Sequence, residues 1–443
     1  MMSNQIQIVK EKLNSAVTQL CETSWMFVKD PARDFTRERK LPLREVISVL
    51  LCMEGGSLTS ELLRYFGCNQ RTASSSAFIQ QRQKINKFAF PSLFDLFVKS
   101  TDNAHLYKGY RLLAADGSDI QTPTNPEEKD SFFPGSSGQK SYNLLHLDAL
   151  YDLLEHTYVD AEVSGKRNFD ENGVLCTMVD RSSVTKALVI ADRGYESYNL
   201  FAHIQEKGWK YLIRVKGIHS SGIAVSLDIS ASPKFDTAFH LHFTKRQTKQ
   251  AKKLLEDKQQ YKLLASNTIF DYLPSHNRKH DPFTSYYLPF RVVRFMISDT
   301  SYETVITNLD VNEFPPQELK RLYGMRWGIE TSFRDLKYTV GLLHFHAKKV
   351  ENITQEIFAR LIMYNFSELI TSHVVIQKSN RKHPCKANFS VAVQVCRQFL
   401  LGNISPPDVE AIISRNVSVT RTGRSNPRNM LVKHAISFLY RVA

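Results

Sequence analysis

The feature that most constrains the fold is a change of apolar period near residue 110. The segment YRLLAADGSDIQT (110–122) predicts two short strands around a glycine-containing turn. Strands are also expected at 144–151 and 156–163, followed by a helix near 169–182, the strand ALVIA, a helix to about 207 and the strand KYLIRVK. Antiparallel strands followed by helix, strand, helix and strand predict a mixed α/β sheet covered by helices.

This order of elements is that of an RNase H-like core. We expect a helical N-terminal DNA-binding region at 1–108, the core at 109–216 and 301–380, a mostly β insertion at 217–300, and a basic helical C-terminal region at 381–443. In the first region, LREVISVLLCM, SLTSELLRYFG and NQRTASSSAFIQQRQKI predict three helices that resemble a helix-turn-helix, although small bundles without a DNA role share the pattern. Within the insertion, TKRQTKQAKKLLEDKQQYK predicts a basic helix.

The charge of the chain favours a polyanionic partner. The net charge is +14, and it is unevenly distributed. Residues 1–110 carry 15 basic and 10 acidic side chains, and residues 331–443 carry 16 and 6. Basic arms therefore flank a nearly neutral middle, as expected for phosphate contacts around a carboxylate-rich site. RNA-binding and ribosome-associated proteins share this balance, so it indicates nucleic acid without choosing a function.

Composition and targeting signals favour a soluble cytoplasmic protein. The apolar runs, such as VISVLL, are far shorter than the roughly 18 residues of a membrane span. The start of the sequence, MMSNQIQIVKEKL, is polar and has no signal-peptide core. Six scattered cysteines without a CxxC pair indicate reduced thiols in a cytosol.

One predicted helix, RLYGMRWGIETSFRDLKYTVG (321–341), presents two neighbouring faces. At about 100° per residue, Tyr323, Arg326, Glu330 and Lys337 lie within roughly 60° of one another. A solvated face with a Glu–Arg pair would explain this pattern equally well. The adjoining apolar stripe indicates a packed side and consists of Leu322, Met325, Ile329, Phe333, Leu336 and Val340.

Two aspartates follow apolar strands at positions where strand ends meet a crevice in open α/β sheets. Asp116 ends LLAAD and Asp192 ends ALVIAD, and either alone could be a turn or cap residue. Together with Glu330 they supply the oxygen ligands that Mg²⁺ prefers. Two such ions, roughly 3.5–4 Å apart, activate an attacking water or 3′-hydroxyl and stabilise the departing oxygen of a phosphodiester.

The segment YGMRWGIETSFRDLK carries a Tyr-x2-Arg-x3-Glu-x6-Lys signature and resembles DDE transposases of bacterial insertion sequences, in insertion-sequence family four. AADGS, HLDALYDL and ADRGY are similar to that family's companion segments, and the resemblance spans roughly 40–380. It implies cut-and-paste transposition, with metal-dependent cleavage at the element's ends and strand transfer to target DNA. It also implies two Mg²⁺ ions, which Mn²⁺ can replace, and a homodimer or larger synaptic complex on double-stranded DNA at the bacterial nucleoid.

Carried over by position, the resemblance makes Asp116, Asp192 and Glu330 the metal-binding catalytic triad. It also implies that Tyr323, Arg326 and Lys337 hold phosphates next to the cut, which suits a phenol, a guanidinium fork and an ammonium. Two neighbouring residues each have two possible interpretations. Trp327 either stacks on a base or packs in the core, and Arg193 either contacts DNA or pairs with an acid.

Other candidate residues have competing interpretations. Asp119 could replace Asp116 as a ligand, but the resemblance favours Asp116. His344 and His346 have metal-like spacing without an evident third ligand, and charge pairing is expected for Asp148 and Asp152. Two other function classes also remain: a DNA-binding regulator that has lost catalysis, against which the intact acids count, and a nuclease that cuts without joining.

Overall fold

The computed structural model describes residues 2–37, 39–70, 72–102, 105–135, 140–217, 222–227, 229, 232–274, 283–298, 301–376, 384–420 and 439–440. The helices in these ranges are α1 (Met2–Glu22), α2 (Leu43–Cys52), α3 (Leu58–Tyr65), α4 (Ser75–Arg82), α5 (Ala89–Ser100), α6 (Glu171–Arg181), α7 (Tyr198–Glu206), α8 (Lys249–Leu254), α9 (Pro316–Met325), α10 (Trp327–Tyr338), α11 (Val350–Ser372), α12 (Phe389–Leu400) and α13 (Pro406–Arg415). None of these helices is both long and apolar enough to span a membrane.

The strands in the same ranges are β1 (Arg111–Thr122), β2 (Phe132–Phe133), β3 (Tyr142–Asp152), β4 (Thr157–Gly165), β5 (Ala187–Ala191), β6 (Lys210–Arg214), β7 (Phe235–Thr244), β8 (Tyr261–Leu263), β9 (Tyr286–Ser298), β10 (Ser301–Thr307), β11 (His344–Phe345), β12 (Cys385–Ala387), β13 (Val417–Val419) and β14 (Leu439–Tyr440). The first ten form one sheet within the described ranges.

The core strands of the sheet lie in the order β4-β3-β1-β5-β6. Strands β4, β3 and β1 are antiparallel to one another, whereas β1, β5 and β6 are parallel. Helix α6 lies between β4 and β5 in the chain, and α7 lies between β5 and β6. The mixed α/β fold with an RNase H-like strand order is therefore confirmed.

Helices cover both faces of the central strands, which explains their nearly unbroken apolar sequence. All five residues of β5 are buried. Ala187, Val189 and Ala191 join the core under α6 and α7, whereas Leu188 and Ile190 join the larger core that includes α5 and α11. This packing on both faces fixes the position of the parallel strands between the helices, and therefore the place where their carboxyl ends emerge.

The prediction of two short strands around Gly117 was wrong, because β1 is a single strand through this residue. The glycine serves close packing here. A Cβ added to Gly117 would overlap Nε2 of His146 on β3 and approach Oδ1 of Asp148. The long β1 pairs with β3 from Leu113 to Thr122, so the site is built on a continuous hairpin of strands.

The insertion extends the core sheet. Strand β9 pairs with β10, which pairs with β6, and β7 and β8 add beyond β9. The expected strands in AFHLHFT and FRVVRFMIS are present as parts of β7 and β9. The prediction of a long basic helix in the insertion was wrong in its length, because α8 has only six residues before the chain turns into β8.

The expectation of an all-helical C-terminal region was incomplete. Helices α12 and α13 are flanked by β12 and β13, which pair antiparallel. Strand β14 pairs parallel with β11 of the preceding region. The basic stretch RTGRSNPR lies outside the described residues.

The three expected N-terminal helices are α2, α3 and α4. Ser57 caps α3 by accepting from the Ser60 amide, and Ser74 caps α4 in the same way. The last helix does not present its arginine to solvent. Arg82 is buried and its Nη1 lies 2.7 Å from Oε1 of Glu356 on α11, so this arginine ties α4 to the central helix.

The single helix expected at 321–341 is divided into α9 and α10. Arg326, at the division, keeps helical torsions (φ −49°, ψ −33°). The Arg326 amide donates to Tyr323 O and the Ile329 amide donates to Arg326 O, so the turn is tightened to i→i−3 bonds. The expected apolar stripe still faces the core, with all but the half-buried Met325 buried.

Candidate active site at the edge of the parallel strands

The two aspartates meet where β1 and β5 separate. The last parallel pair joins Ala115 with Ala191, and each aspartate is the next residue. Asp192 follows the end of β5 as expected. Asp116 does not end its strand, because β1 continues along β3 beyond the point where β5 stops. The carboxylate of Asp116 nevertheless emerges at the same sheet edge.

The third acid approaches this edge through an arginine of the same helical segment. Nη2 of Arg326 lies 2.7 Å from Oε1 of Glu330, and Nη1 lies 3.6 Å from Oδ2 of Asp116. Arg326 is only 2% exposed. One buried guanidinium therefore links two predicted triad members that are 214 positions apart in the chain.

Asp192 is held by a second cluster of donors. Nη2 of Arg214, the last residue of β6, lies 2.6 Å from Asp192 Oδ1. The phenol of Tyr323 donates to the same oxygen over 3.4 Å, and the Arg193 amide donates to it over 2.7 Å. Arg214 also pairs with Glu303. Arg214 was not anticipated from the sequence.

Asp116 and Asp192 line a cleft of about 680 Å³. Burial raises the pKa of Asp116 to about 6, although Arg326 and the Gly117 amide favour its charged form. The negative charges of Glu330 and Asp192 raise the pKa of Asp116 further. The other residues of the cleft wall are Glu171, Arg193, Gly194, Tyr195, Glu196, Lys216, Gly222 and Ile223.

The structure rules out a solvated face for the Tyr–Arg–Lys set. Tyr323, Arg326 and Lys337 are all buried, and Nζ of Lys337 donates to the backbone carbonyl of Asp119 on β1 over 3.0 Å. Trp327 is different, since 50% of it is exposed and it is not a core residue. Its ring lies 5.4 Å from the guanidinium carbon of Arg326. Arg193 is exposed beside the cleft.

The remaining sequence candidates fall into structural roles. Asp152 pairs with Nε of Arg111 at 2.6 Å, as expected. His346 contacts Glu356, and its Nε2 lies 3.0 Å from the Gly56 carbonyl. The hydrogen bonds described for His346 include none to a second histidine. Asp119 points to His146 and Lys166. Asp148 faces Nε2 of His146 at 3.5 Å, so the charge pair expected for Asp148 forms only with a protonated His146.

One further residue at this sheet edge could have been found by the reasoning used for the aspartates. Arg214 ends β6, the strand parallel to β5, so its side chain reaches the edge where Asp192 emerges. Glu171 begins α6, but its approach to the cleft depends on how α6 packs across the sheet. No local pattern marks that packing.

Comparison with known proteins identifies the family of the chain. The model of the family described as "Transposase DDE domain" matches residues 107–366, which is more than half of the chain. The chain therefore belongs to the transposase DDE domain family. Members of this family generally use divalent metal ions.

A curated relative is the transposase InsG for insertion sequence element IS4 of Escherichia coli (strain K12). It is 26% identical over 342 residues, which cover 74% of this chain and 65% of InsG. The match thus spans just under two thirds of that relative's length. A solved structure, the piggyBac transposase synaptic complex with hairpin DNA, aligns with a TM-score of 0.44 and 10% identity over 92% of this chain and 79% of that one.

Proposed function

We propose that the chain is a transposase that moves an insertion sequence by cut-and-paste, cleaving DNA at the element's ends and joining those ends to target DNA. The observation that carries the proposal is the convergence of Asp116, Asp192 and Glu330 at one sheet edge, each held by an arginine. Membership of the transposase DDE domain family supports the same activity.

Asp116, Asp192 and Glu330 would hold the divalent ions, with two Mg²⁺ proposed and Mn²⁺ as a substitute. The donor set fits, because all three are carboxylates with partly exposed side chains and two of them line the cleft. When bound, the ions would activate the attacking oxygen and stabilise the leaving oxygen of a phosphodiester. In the folded chain the two guanidinium groups of Arg326 and Arg214 balance these negative charges.

The same arginines are suited to the scissile phosphate. Nε of Arg326 and Nε of Arg214 are buried and have no hydrogen-bond partner in the described ranges, so each is an unused donor, which a phosphate oxygen would reach only if DNA binding moves the side chain. Tyr323 positions its phenol between Asp192 and this phosphate. Lys337 adds positive charge from behind β1, and Arg193 supplies an exposed cation at the cleft.

Trp327 is proposed to stack on a base near the cut. It is half-exposed and sits directly after Arg326, so a base unstacked from the duplex end could reach its ring without disturbing the core. Base–aromatic stacking contributes about 1–3 kcal/mol per base. Such a contact would fix the end of the element relative to the metal ligands.

The chain is proposed to divide as the sequence indicates: residues 1–108 bind DNA, 109–216 and 301–380 form the catalytic core, 217–300 form the β-rich insertion, and 381–443 add a basic region. Strands β9 and β10 form a hairpin across the boundary at 300 and 301. The partners are double-stranded DNA of the inverted-repeat ends and of the target, bound by a homodimer or a larger synaptic complex. The proposed location is the bacterial cytoplasm, at the nucleoid.

A strand-transfer assay tests this proposal. The full chain is incubated with Mg²⁺ and a supercoiled target, and in separate reactions with a pre-cut end or an uncut end, beside Asp192→Asn and the surface control Asp95→Asn. We expect joined products from the parent and the control and none from Asp192→Asn. Cleavage of uncut ends without joining would identify a nuclease instead, and binding without either reaction would identify a regulator.

A further inference from the structure

A second group of potential metal ligands lies beside the catalytic edge. One ligand atom each from His146, Asp148 and Glu171 come within 4.8 Å of one another. The first two lie on β3, where Asp148 is directly opposite Gly117 and His146 is opposite Asp119. Glu171 begins α6 and also lines the cleft that contains Asp116. The group therefore sits behind the first predicted catalytic acid.

Three buried atoms of this group have no hydrogen-bond partner in the described ranges. Asp148 is 1% exposed, and neither of its carboxylate oxygens has a hydrogen-bond partner. Nε2 of His146, which is also buried, has none either and lies 3.5 Å from Asp148 Oδ1, longer than a well-formed hydrogen bond. Because a buried carboxylate without a partner is costly, these atoms require a bound cation or a proton between them.

The orientation of His146 favours a metal ion. Its Nδ1 lies 2.5 Å from Oδ1 of Asp119, and Nζ of Lys166 lies 3.0 Å from the same carboxylate oxygen. Metal-binding histidines usually donate their second ring N–H to a carboxylate in this way, which turns the other nitrogen toward the metal. Nζ of Lys166 also lies 3.0 Å from Nδ1 itself. In the tautomer whose Nδ1–H is donated to Asp119, the lone pair of Nε2 faces Asp148.

Gly117 keeps space open at this position. A Cβ on this residue would overlap Nε2 of His146 and lie 3.2 Å from Asp148 Oδ1. The side chain that is missing from β1 is thus the one that would block both ligand atoms. The absence of that side chain leaves the imidazole and the carboxylate accessible to a third group.

We propose that His146, Asp148 and Glu171 bind a divalent transition-metal ion, separate from the ions of the catalytic carboxylates. One imidazole nitrogen and two carboxylates suit Zn²⁺ or Mn²⁺, whereas Mg²⁺ prefers oxygen ligands alone. Such an ion would join the start of α6 to β3 and neutralise the charge directly behind Asp116. The proposal concerns binding alone and holds whether or not the chain carries out transposition.

Zinc titration of the EDTA-treated full chain tests the proposal. The parent should bind one Zn²⁺ equivalent more than His146→Gln, and its melting temperature in Zn²⁺ should rise where that of His146→Gln does not. The matched control is His105→Gln, an exposed histidine paired with Glu155, which should behave as the parent. Asp119→Asn should bind Zn²⁺ about 10–100-fold more weakly, because it removes only the group that orients the ligand.

Two outcomes would overturn the proposal. Equal Zn²⁺ binding by the parent and by His146→Gln would place the metal elsewhere. No Zn²⁺ or Mn²⁺ binding by the parent would mean that a proton on His146 bridges Asp119 and Asp148. If His146→Gln does not fold, Glu171→Gln decides, since this residue is only half-buried and should lose the same equivalent.

Discussion

Removing the charge of Asp116 should stabilise the metal-free protein at neutral pH while it destroys the catalytic site. Burial raises the pKa of this carboxyl from about 3.8 to about 6. The folded state therefore binds the proton more tightly than the unfolded state does, and ionisation at higher pH costs stability. A difference of about two pKa units corresponds to about 3 kcal/mol, an upper estimate because the side chain remains 22% exposed.

The pH dependence follows from the sign of this shift. Below pH 4 the carboxyl is protonated in both states and the cost is absent. The cost develops as the pH rises from 4 to 6 and is complete above that window. The free energy of unfolding of Asp116→Asn relative to the parent should therefore increase by up to about 3 kcal/mol between pH 4 and pH 8.

Urea denaturation in EDTA at both pH values measures this difference. The control is Asp95→Asn, an exposed carboxylate paired with Lys99 at the surface, which should change stability by less than about 1 kcal/mol. Adding Mg²⁺ at pH 8 should stabilise the parent but not Asp116→Asn, because the ion binds only to the folded parent's carboxylates. An effect of Asp116→Asn that is the same at pH 4 and pH 8 would refute the reasoning.

Three further substitutions test separate parts of the structure. Lys337→Ala should lower the salt slope of end binding by about one phosphate contact, and an unchanged slope would mean that Lys337 contacts no phosphate. Trp327→Ala should weaken end binding by about 1–3 kcal/mol without lowering the melting temperature, whereas Trp327→Phe should retain most of the affinity. Equal affinities of the parent, Trp327→Ala and Trp327→Phe for the DNA ends would exclude stacking. Arg82→Ala removes the guanidinium from a buried ion pair, while Glu356 keeps its contacts with His346, and should cost up to about 3–5 kcal/mol in urea denaturation. A loss below about 1 kcal/mol would contradict that pairing.

Local sequence patterns were sufficient for most of the core. The apolar run ALVIA followed by Asp192 predicts both a buried strand and an acid at its end, because parallel strands covered on both faces end at a common edge. The helical period of 321–341 correctly separated the packed stripe from the Tyr–Arg–Glu–Lys face. These features depend on residues that are close together in the chain.

Features that depend on distant contacts were missed or misread. Gly117 was read as a turn because glycine favours turns, whereas it is required by the ring of His146 on the neighbouring strand. The burial of Lys337 depends on a bond to β1, 218 residues away. The contact between Arg326 and Asp116 likewise depends on the register of the whole sheet, which no local sequence pattern predicts.

The central claim is that Asp116, Asp192 and Glu330 act together as metal ligands at a phosphodiester, and Glu330→Gln tests it most directly. DNA-end binding and Mg²⁺-dependent cleavage are measured on the same preparation, beside the surface control Glu351→Gln. The account predicts that Glu330→Gln binds ends with nearly parental affinity and cleaves none of them, while the control does both. Cleavage by Glu330→Gln at the parental rate would contradict it.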